Sequence, residues 1–342
     1  MNTTTGGMKI LVTGGAGYIG SHVAKELANA GHTPVVLDNF CRGHEWAVKW
    51  GPLLRADLSD PHAISSAFRR YPIDAVIHLA AFAYVGESMA RAREYFRNNV
   101  ANTQNLLEGM CEAGVTRIVF SSSCATYGDP QFLPITENHP QVPKSPYGES
   151  KWMAERMLKW YQLARGLSWT SLRYFNAAGA DPECEIGELH DPEPHLIPSA
   201  IAAEEGDIPE LEIFGMDYAT HDGTAVRDFI HVTDLANAHL KAVERLCRGG
   251  QSDALNLGSG TGHSVHEVVA AVEKHGGRTV PVAPRPRRDG DPAILIADAS
   301  RAAAELGWTP SCSSLDCIVR TAYRWYANLH TAGLHRASAT HV

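Results

Sequence analysis

Six short apolar runs alternate with helix-like segments through the first half of the chain: Lys9–Thr13, Pro34–Asp38, Leu53–Asp57, Ala75–Ala80, Arg117–Ser122 and Thr170–Phe175. They are rich in Val and Ile and, where strongest, apolar on both faces, as parallel strands covered by helices on two sides must be. Helical patterns fill the gaps at Ser21–Ala30, Pro61–Tyr71, Ala101–Ala113 and Ser150–Gly166. Strand–helix alternation with right-handed crossovers predicts a doubly wound α/β sheet. The texture changes after residue 177, where Ala180–Pro198 is dense in Pro, Glu, Asp and His and reads as irregular loop. Later segments, including Leu211–Phe214, Ala254–Leu257 and Val265–His275, are of mixed order. The expected division is a dinucleotide-binding domain over 8–177 and a smaller mixed α/β substrate domain over 178–335. Segments near 225–260 should return to the first.

Lys9-Ile-Leu-Val-Thr13 runs directly into Gly14-Gly-Ala-Gly17-Tyr18-Ile19-Gly20 and then a helical pattern from Ser21. Glycines at such a turn let backbone approach a pyrophosphate, and the following helix N-terminus offers unpaired N–H groups. Asp38 closes the next strand, placed to accept both ribose hydroxyls and to repel a 2′-phosphate; the implied cofactor is NAD. A Rossmann-type sheet follows from that combination. Tyr147-Gly-Glu-Ser-Lys151 puts a phenol and an ammonium one helical turn apart if the helix beginning near Ser150 reaches them, and Ser121-Ser-Ser123 lies upstream. A lysine and a nicotinamide cation would lower the phenol's pKa, making Tyr147 a base for a sugar hydroxyl. Ser123 would bond the same oxygen, and Lys151 the nicotinamide ribose.

The G-x-x-G-x-x-G spacing resembles the extended short-chain dehydrogenase/reductases. Five blocks narrow the resemblance to the UDP-glucose 4-epimerase family: Leu11–His22, Tyr84–Ser88, Ser121–Gly128, Arg173–Ala180 and Asp222–Val232. It covers the chain from Met8 to about Tyr326. The resemblance implies cofactor contacts from Gly14, Gly17, Tyr18, Ile19, Gly20, Asp38, Asn39, Asp57, Leu58, Ala80, Ala81, Asn99, Ser121, Tyr147, Lys151 and Tyr174, with Asn99 pinning nearby backbone. It implies that Ser123, Tyr147, Asn176, Leu196, Phe214, Arg227, Arg288 and Asp291 face a UDP-hexose, the two arginines clamping its diphosphate. Guanidinium forks suit phosphate oxygens, though Arg227 could instead pair with Asp228, and Arg288 with Asp289. The implied reaction interconverts UDP-glucose and UDP-galactose through a transient 4-keto sugar that rotates before re-reduction. A homodimer is implied as well. Leu295 aligns with a position whose bulk limits N-acetylated sugars.

A 4,6-dehydratase needs an acid pair after the catalytic serine, where this chain has Cys124-Ala125. A pentose 4-epimerase shares the machinery, and Phe82–Ser88 resembles that branch somewhat. A non-catalytic dinucleotide sensor could dispense with Ser123, Tyr147 and Lys151. Metal chemistry through His263-x-x-His266 lacks companion ligands, so no metal is expected, and His190 and His195 read as a substrate-side loop. Net charge is −8, which advertises no basic face for nucleic acid. No run approaches the roughly 18 apolar residues of a membrane helix. Residues Met1–Gly7 are polar, and the seven cysteines include no C-x-x-C pair. Reduced, mostly buried thiols in a cytoplasmic protein are expected.

Overall fold

The computed structural model describes residues 7–331 apart from Asp289. The first half runs β1 (Lys9–Thr13), α1 (Tyr18–Asn29), β2 (Thr33–Asp38), β3 (Leu53–Arg55), α2 (Pro61–Arg70) and β4 (Ala75–His78). It continues with α3 (Val85–Ala90), α4 (Ala92–Phe96), α5 (Asn102–Glu112), β5 (Arg117–Ser123), α6 (Pro146–Arg165) and β6 (Ser168–Tyr174). The second half holds β7 (Asn176–Ala178), α7 (Leu196–Glu205), β8 (Leu211–Phe214), β9 (Val226–His231), α8 (Val232–Cys247) and β10 (Asp253–Leu257). Last come β11 (Gly262–Ser264), α9 (Val265–Gly276), β12 (Val282–Arg285), β13 (Ile294–Leu295), α10 (Ser300–Leu306) and α11 (Leu315–Thr331).

Seven parallel strands form the main sheet in the order β10-β6-β5-β4-β1-β2-β3. The order reverses between β1 and β4, and such switch points open the ligand crevice of doubly wound sheets. Alternation along β1 explains why the strands read as apolar on both sides. Ile10 and Val12 pack with Val23, Leu27 and Leu235 under α1 and α8. Leu11 packs with Ile64, Leu106 and Leu158 under α2, α5 and α6. Within 225–260, α8 and β10 join this body, but β9 does not. It anchors a second sheet with β7, β11 and β13, because its edges are taken by those strands and its Phe229 packs under α7, α9 and α11.

Helix starts follow local chemistry. Asp60 caps α2 ahead of Pro61, and Ser264 with Glu267 forms a capping box on α9. Helix α6 begins at Pro146, four residues earlier than the apolar pattern suggests, because the Ser145 hydroxyl accepts from the Gly148 N–H at 3.2 Å. Helices α3 and α4 fall in a stretch whose periodicity is too short to read.

Burial pushes His22, His231 and His239 down to about 4, and His78 down to about 3. The unfolded chain binds protons at these positions near pH 6.5, while the folded protein stays neutral there until the lower values. Between these limits the unfolded state holds more protons, so stability falls as pH falls. The melting temperature is therefore expected to drop steadily from pH 6.5 to pH 4. A thermal-melt series with wild type and His78→Gln checks this, the variant giving the shallower slope.

Candidate active site

The loops at the C-terminal ends of the main-sheet strands converge on the switch point. Gly14 adopts φ +72°, and a Cβ there would meet the Ala80 nitrogen at 2.6 Å, so the turns after β1 and β4 touch backbone to backbone. A Cβ on Gly20 would lie 2.1 Å from the Gly14 oxygen. At Gly17 the nearest atom to a Cβ is 3.4 Å away, leaving that side open. Gly17 is the N-cap of helix α1, with no side-chain cap and no acid in the first turn, the arrangement that receives an anion. Gly20→Val should force the turn apart and strip bound dinucleotide. Absorbance of cofactor carried through purification checks it, near-zero occupancy being expected.

Asp38 is 7% exposed, and its carboxylate accepts from Ala16 N at 3.0 Å and Phe40 N at 2.8 Å. Burial pushes its pKa up, and those N–H donors oppose the rise. Asn39 donates to Asp57 Oδ2 at 2.6 Å, joining the ends of β2 and β3. The Leu58 side chain lies in the core, and its carbonyl accepts from Asn105 Nδ2 at 3.0 Å. Ala81 follows Ala80 into the same loop, and Ile19 packs on the core beneath α1. Uncapped N–H groups, an open glycine backbone and a pinned carboxylate fit a dinucleotide.

Ser121 and Ser123 point the same way from the end of β5, two residues apart. The Ser121 hydroxyl bonds the Tyr174 hydroxyl across to β6. Tyr147 and Lys151 lie in the first turns of α6, at 7% and 3% exposure. Lys151 Nζ donates to the Ser121 carbonyl at 2.7 Å and sits 6.0 Å from the Tyr147 ring centre. Asn99 Nδ2 donates to the Phe82 carbonyl at 2.9 Å and Ser150 Oγ at 3.0 Å, while its Oδ1 accepts from Phe82 N at 2.8 Å. It thereby ties the loop after β4 to α6. Burial raises the Tyr147 pKa, with Tyr174 adding to the rise and a Ser123 hydrogen bond opposing it. Burial also pushes Lys151 down to about 7. A lysine and a nicotinamide cation together are expected to favour the phenolate, and burial of both side chains opposes that effect.

A brace behind this trio has no local signature in the sequence. Glu155 of α6 pairs with Arg173 of β6 at 2.6 Å, and both are almost fully buried. Ser122 and Gln141 donate to the same carboxylate at 2.6 and 3.1 Å, and Arg173 donates to the Tyr127 hydroxyl at 3.0 Å. The only sequence signal is a charge at a core-facing position of each element.

On the opposite wall, Asn176 donates to the Asp228 carbonyl at 3.1 Å. Asp228 is fully buried and accepts from Ser259 N, Ser259 Oγ, Gly260 N and Ala297 N at 2.7–3.0 Å. The Arg227–Asp228 surface pair is therefore overturned: Arg227 pairs with Asp291 instead. Asp291 N donates to the Arg288 carbonyl at 3.2 Å, closing the turn. The Arg288 guanidinium lies 3.8 Å over the Phe214 ring centre, whereas Arg287 is held by Asp217 at 2.7 Å. The alternative partner Asp289 lies outside the described residues. Leu196 opens α7 and packs against its core cluster. Leu295 pairs with Arg227 in register and packs against the cluster of Tyr127, Ile135, Phe175 and Ala297. Tyr18 joins the two walls by donating to the Gly179 carbonyl at 2.5 Å. The expected burial of thiols is corrected, since Cys41 is exposed and the other six cysteines are part-buried.

Residues 10–258 match the NAD dependent epimerase/dehydratase family. The chain is 48% identical to the UDP-glucose 4-epimerase of Halalkalibacterium halodurans over 93% of this chain and 96% of that protein. It superposes on the crystal structure of UDP-glucose 4-epimerase from Brucella ovis in complex with NAD, with a TM-score of 0.91 at 51% identity, covering 93% and 98% of the two chains. The Bifidobacterium longum UDP-glucose 4-epimerase in complex with NAD⁺ and UDP gives a TM-score of 0.90 at 38% identity over 94% and 98%. The chain belongs to the UDP-glucose 4-epimerases of the NAD dependent epimerase/dehydratase family.

Proposed function

We propose that this chain interconverts UDP-galactose and UDP-glucose by inverting C4 of the hexose with a retained NAD. The observation that carries the reading is the convergence of Ser123, Tyr147 and Lys151 beside the glycine turn and opposite the Arg227 wall. Bound NAD supplies the hydride acceptor and donor at C4. Tyr147 takes the proton of the C4 hydroxyl and later returns it; Ser123 bonds the same oxygen, and Lys151 supplies positive charge that favours the phenolate. Asp38 takes the adenosine ribose hydroxyls with Asn39 and Asp57 beside it, and the α1 N-terminus takes the pyrophosphate.

Arg227 and Arg288 hold the UDP diphosphate, with Asn176, Leu196 and Phe214 around the nucleotide and Asp291 positioning Arg227. Firm grip on the nucleotide with few contacts to the sugar lets a 4-keto hexose turn over between the two half-reactions. On this reading residues 8–177 serve the cofactor, with α8 and β10 returning to them. Residues 178–335 serve the UDP-sugar, of which 332–335 lie outside the described residues. Incubation of purified protein with UDP-galactose and no added cofactor tests the proposal: UDP-glucose must form. Its absence from folded protein that binds NAD would overturn the assignment.

Two companions of the reading are a homodimer and a cytoplasmic setting. Met153, Trp160 and Leu163 stand 37%, 67% and 77% exposed along one face of α6, a stripe suited to a second copy. Trp160→Glu with Leu163→Glu is expected to convert dimer to monomer in light scattering. The seven cysteines stand unpaired, as a reducing compartment would keep them. Among the described residues no helix is long and apolar enough to cross a membrane.

A further inference from the structure

The segment entering α7 carries a Glu-x-His unit twice, as Glu188/His190 and Glu193/His195. The loop folds these four side chains onto one point. Glu188 Oε1 lies 3.3 Å from His190 Nδ1 and 2.8 Å from His195 Nδ1. Glu193 meets the same two nitrogens, through Oε2 at 3.3 Å and Oε1 at 2.8 Å. One ligand atom from each of the four lies within 4.8 Å of the others. The Glu188 and His190 side chains are 7% and 15% exposed and those of Glu193 and His195 22% and 43%, so the group is buried at one end and open at the other. The rings of Tyr18 and Tyr84 stand edge-on to His190 at 6.4 and 5.8 Å.

Two nitrogens and two carboxylate oxygens are a common zinc donor set. Bond lengths of roughly 2.0–2.2 Å in a tetrahedron put neighbouring donors about 3.3 Å apart. The separations at His190 already match, and those at His195 need to open by roughly half an ångström on that scale. A dication with two carboxylates and two neutral imidazoles sums to zero charge, which suits a part-buried position. Other acidic or histidine groups lack this. Asp181, Glu183 and Glu185 already surround the Lys25 ammonium at 2.5–2.9 Å, and the pair His263 and His266 gathers no such set among the described residues.

We propose that Glu188, His190, Glu193 and His195 bind one zinc-class divalent cation. Four protein ligands close its coordination, so its role is structural. It clips the loop entering α7 against Tyr18 of the glycine turn and against Tyr84.

The test uses the NAD-bound protein after dialysis against chelator. It should take up one equivalent of Zn²⁺ per chain by calorimetry, with a rise in melting temperature. Co²⁺ in its place should give the visible absorption bands of a tetrahedral centre. His190→Ala with His195→Ala should weaken uptake by roughly 100-fold, Glu193→Gln should weaken it measurably, and His263→Ala with His266→Ala should leave it unchanged. Less than a tenth of an equivalent bound by folded wild type would overturn the proposal. So would equal affinity in the folded His190/His195 variant or, if that variant does not fold, in Glu193→Gln.

Discussion

Tyr147→Phe is expected to lower kcat for UDP-galactose by roughly 10²–10⁴-fold, the usual worth of a positioned acid–base group. The ring is 7% exposed and packs edge-on against Tyr95 at 6.5 Å, so deleting one oxygen leaves the packing in place. UDP affinity should be unchanged, because the diphosphate grip is assigned to Arg227 and Arg288 on the opposite wall. Steady-state kinetics with calorimetric UDP binding separates the two effects. A parallel loss of UDP affinity would assign Tyr147 a packing role instead. Since burial raises the phenol and lowers Lys151 to about 7, the ammonium is only partly present at neutral pH. Lys151→Met should therefore depress kcat most where the native lysine is charged, below pH 7.

Glu155→Ala should cost about 3–5 kcal/mol of stability, the penalty for stranding a buried charge. Arg173 would then keep only the Tyr127 hydroxyl and the Glu137 carbonyl, at 3.0 and 3.4 Å. Urea unfolding measures the loss. Replacing both partners together, Glu155→Leu with Arg173→Met, should recover much of it, since an apolar pair of similar size needs no solvation. Activity need not recover with stability, because this pair holds α6, bearing Tyr147 and Lys151, to the strand beside Ser123. Acid weakens the same brace. Burial would raise the Glu155 pKa, but the Arg173 hydrogen bonds outweigh it and hold it below the ordinary range. Its contribution is thus present above the ordinary glutamate pKa and lost as pH falls through the lower folded value.

The parallel sheet was legible because its strands are buried on both faces, and the cofactor turn because strand, glycines, helix and Asp38 follow one another in sequence. Tyr147 and Lys151 were legible for the same reason: their spacing is local. What escaped depends on distant partners. Arg227 gave no sign that it would choose Asp291 over its neighbour Asp228, since that choice is made by the return of β13 alongside β9. Asp228 is committed to the backbone of 259, 260 and 297, which nothing near residue 228 announces. Glu155 and Arg173 find each other only once α6 lies across β5 and β6. The start of α6 was misplaced because apolar periodicity begins after the first turn, whereas Ser145 and Pro146 set the true end.

On the proposed reaction a hydrogen leaves C4 and returns to the same sugar pool within one site. UDP-galactose deuterated at C4, incubated in ordinary water with unlabelled NAD in the medium, tests it most directly by mass spectrometry of the product. UDP-glucose should keep the deuterium at C4, with none in the water or the added dinucleotide. Washout of the label into solvent, with inversion still proceeding, would contradict it.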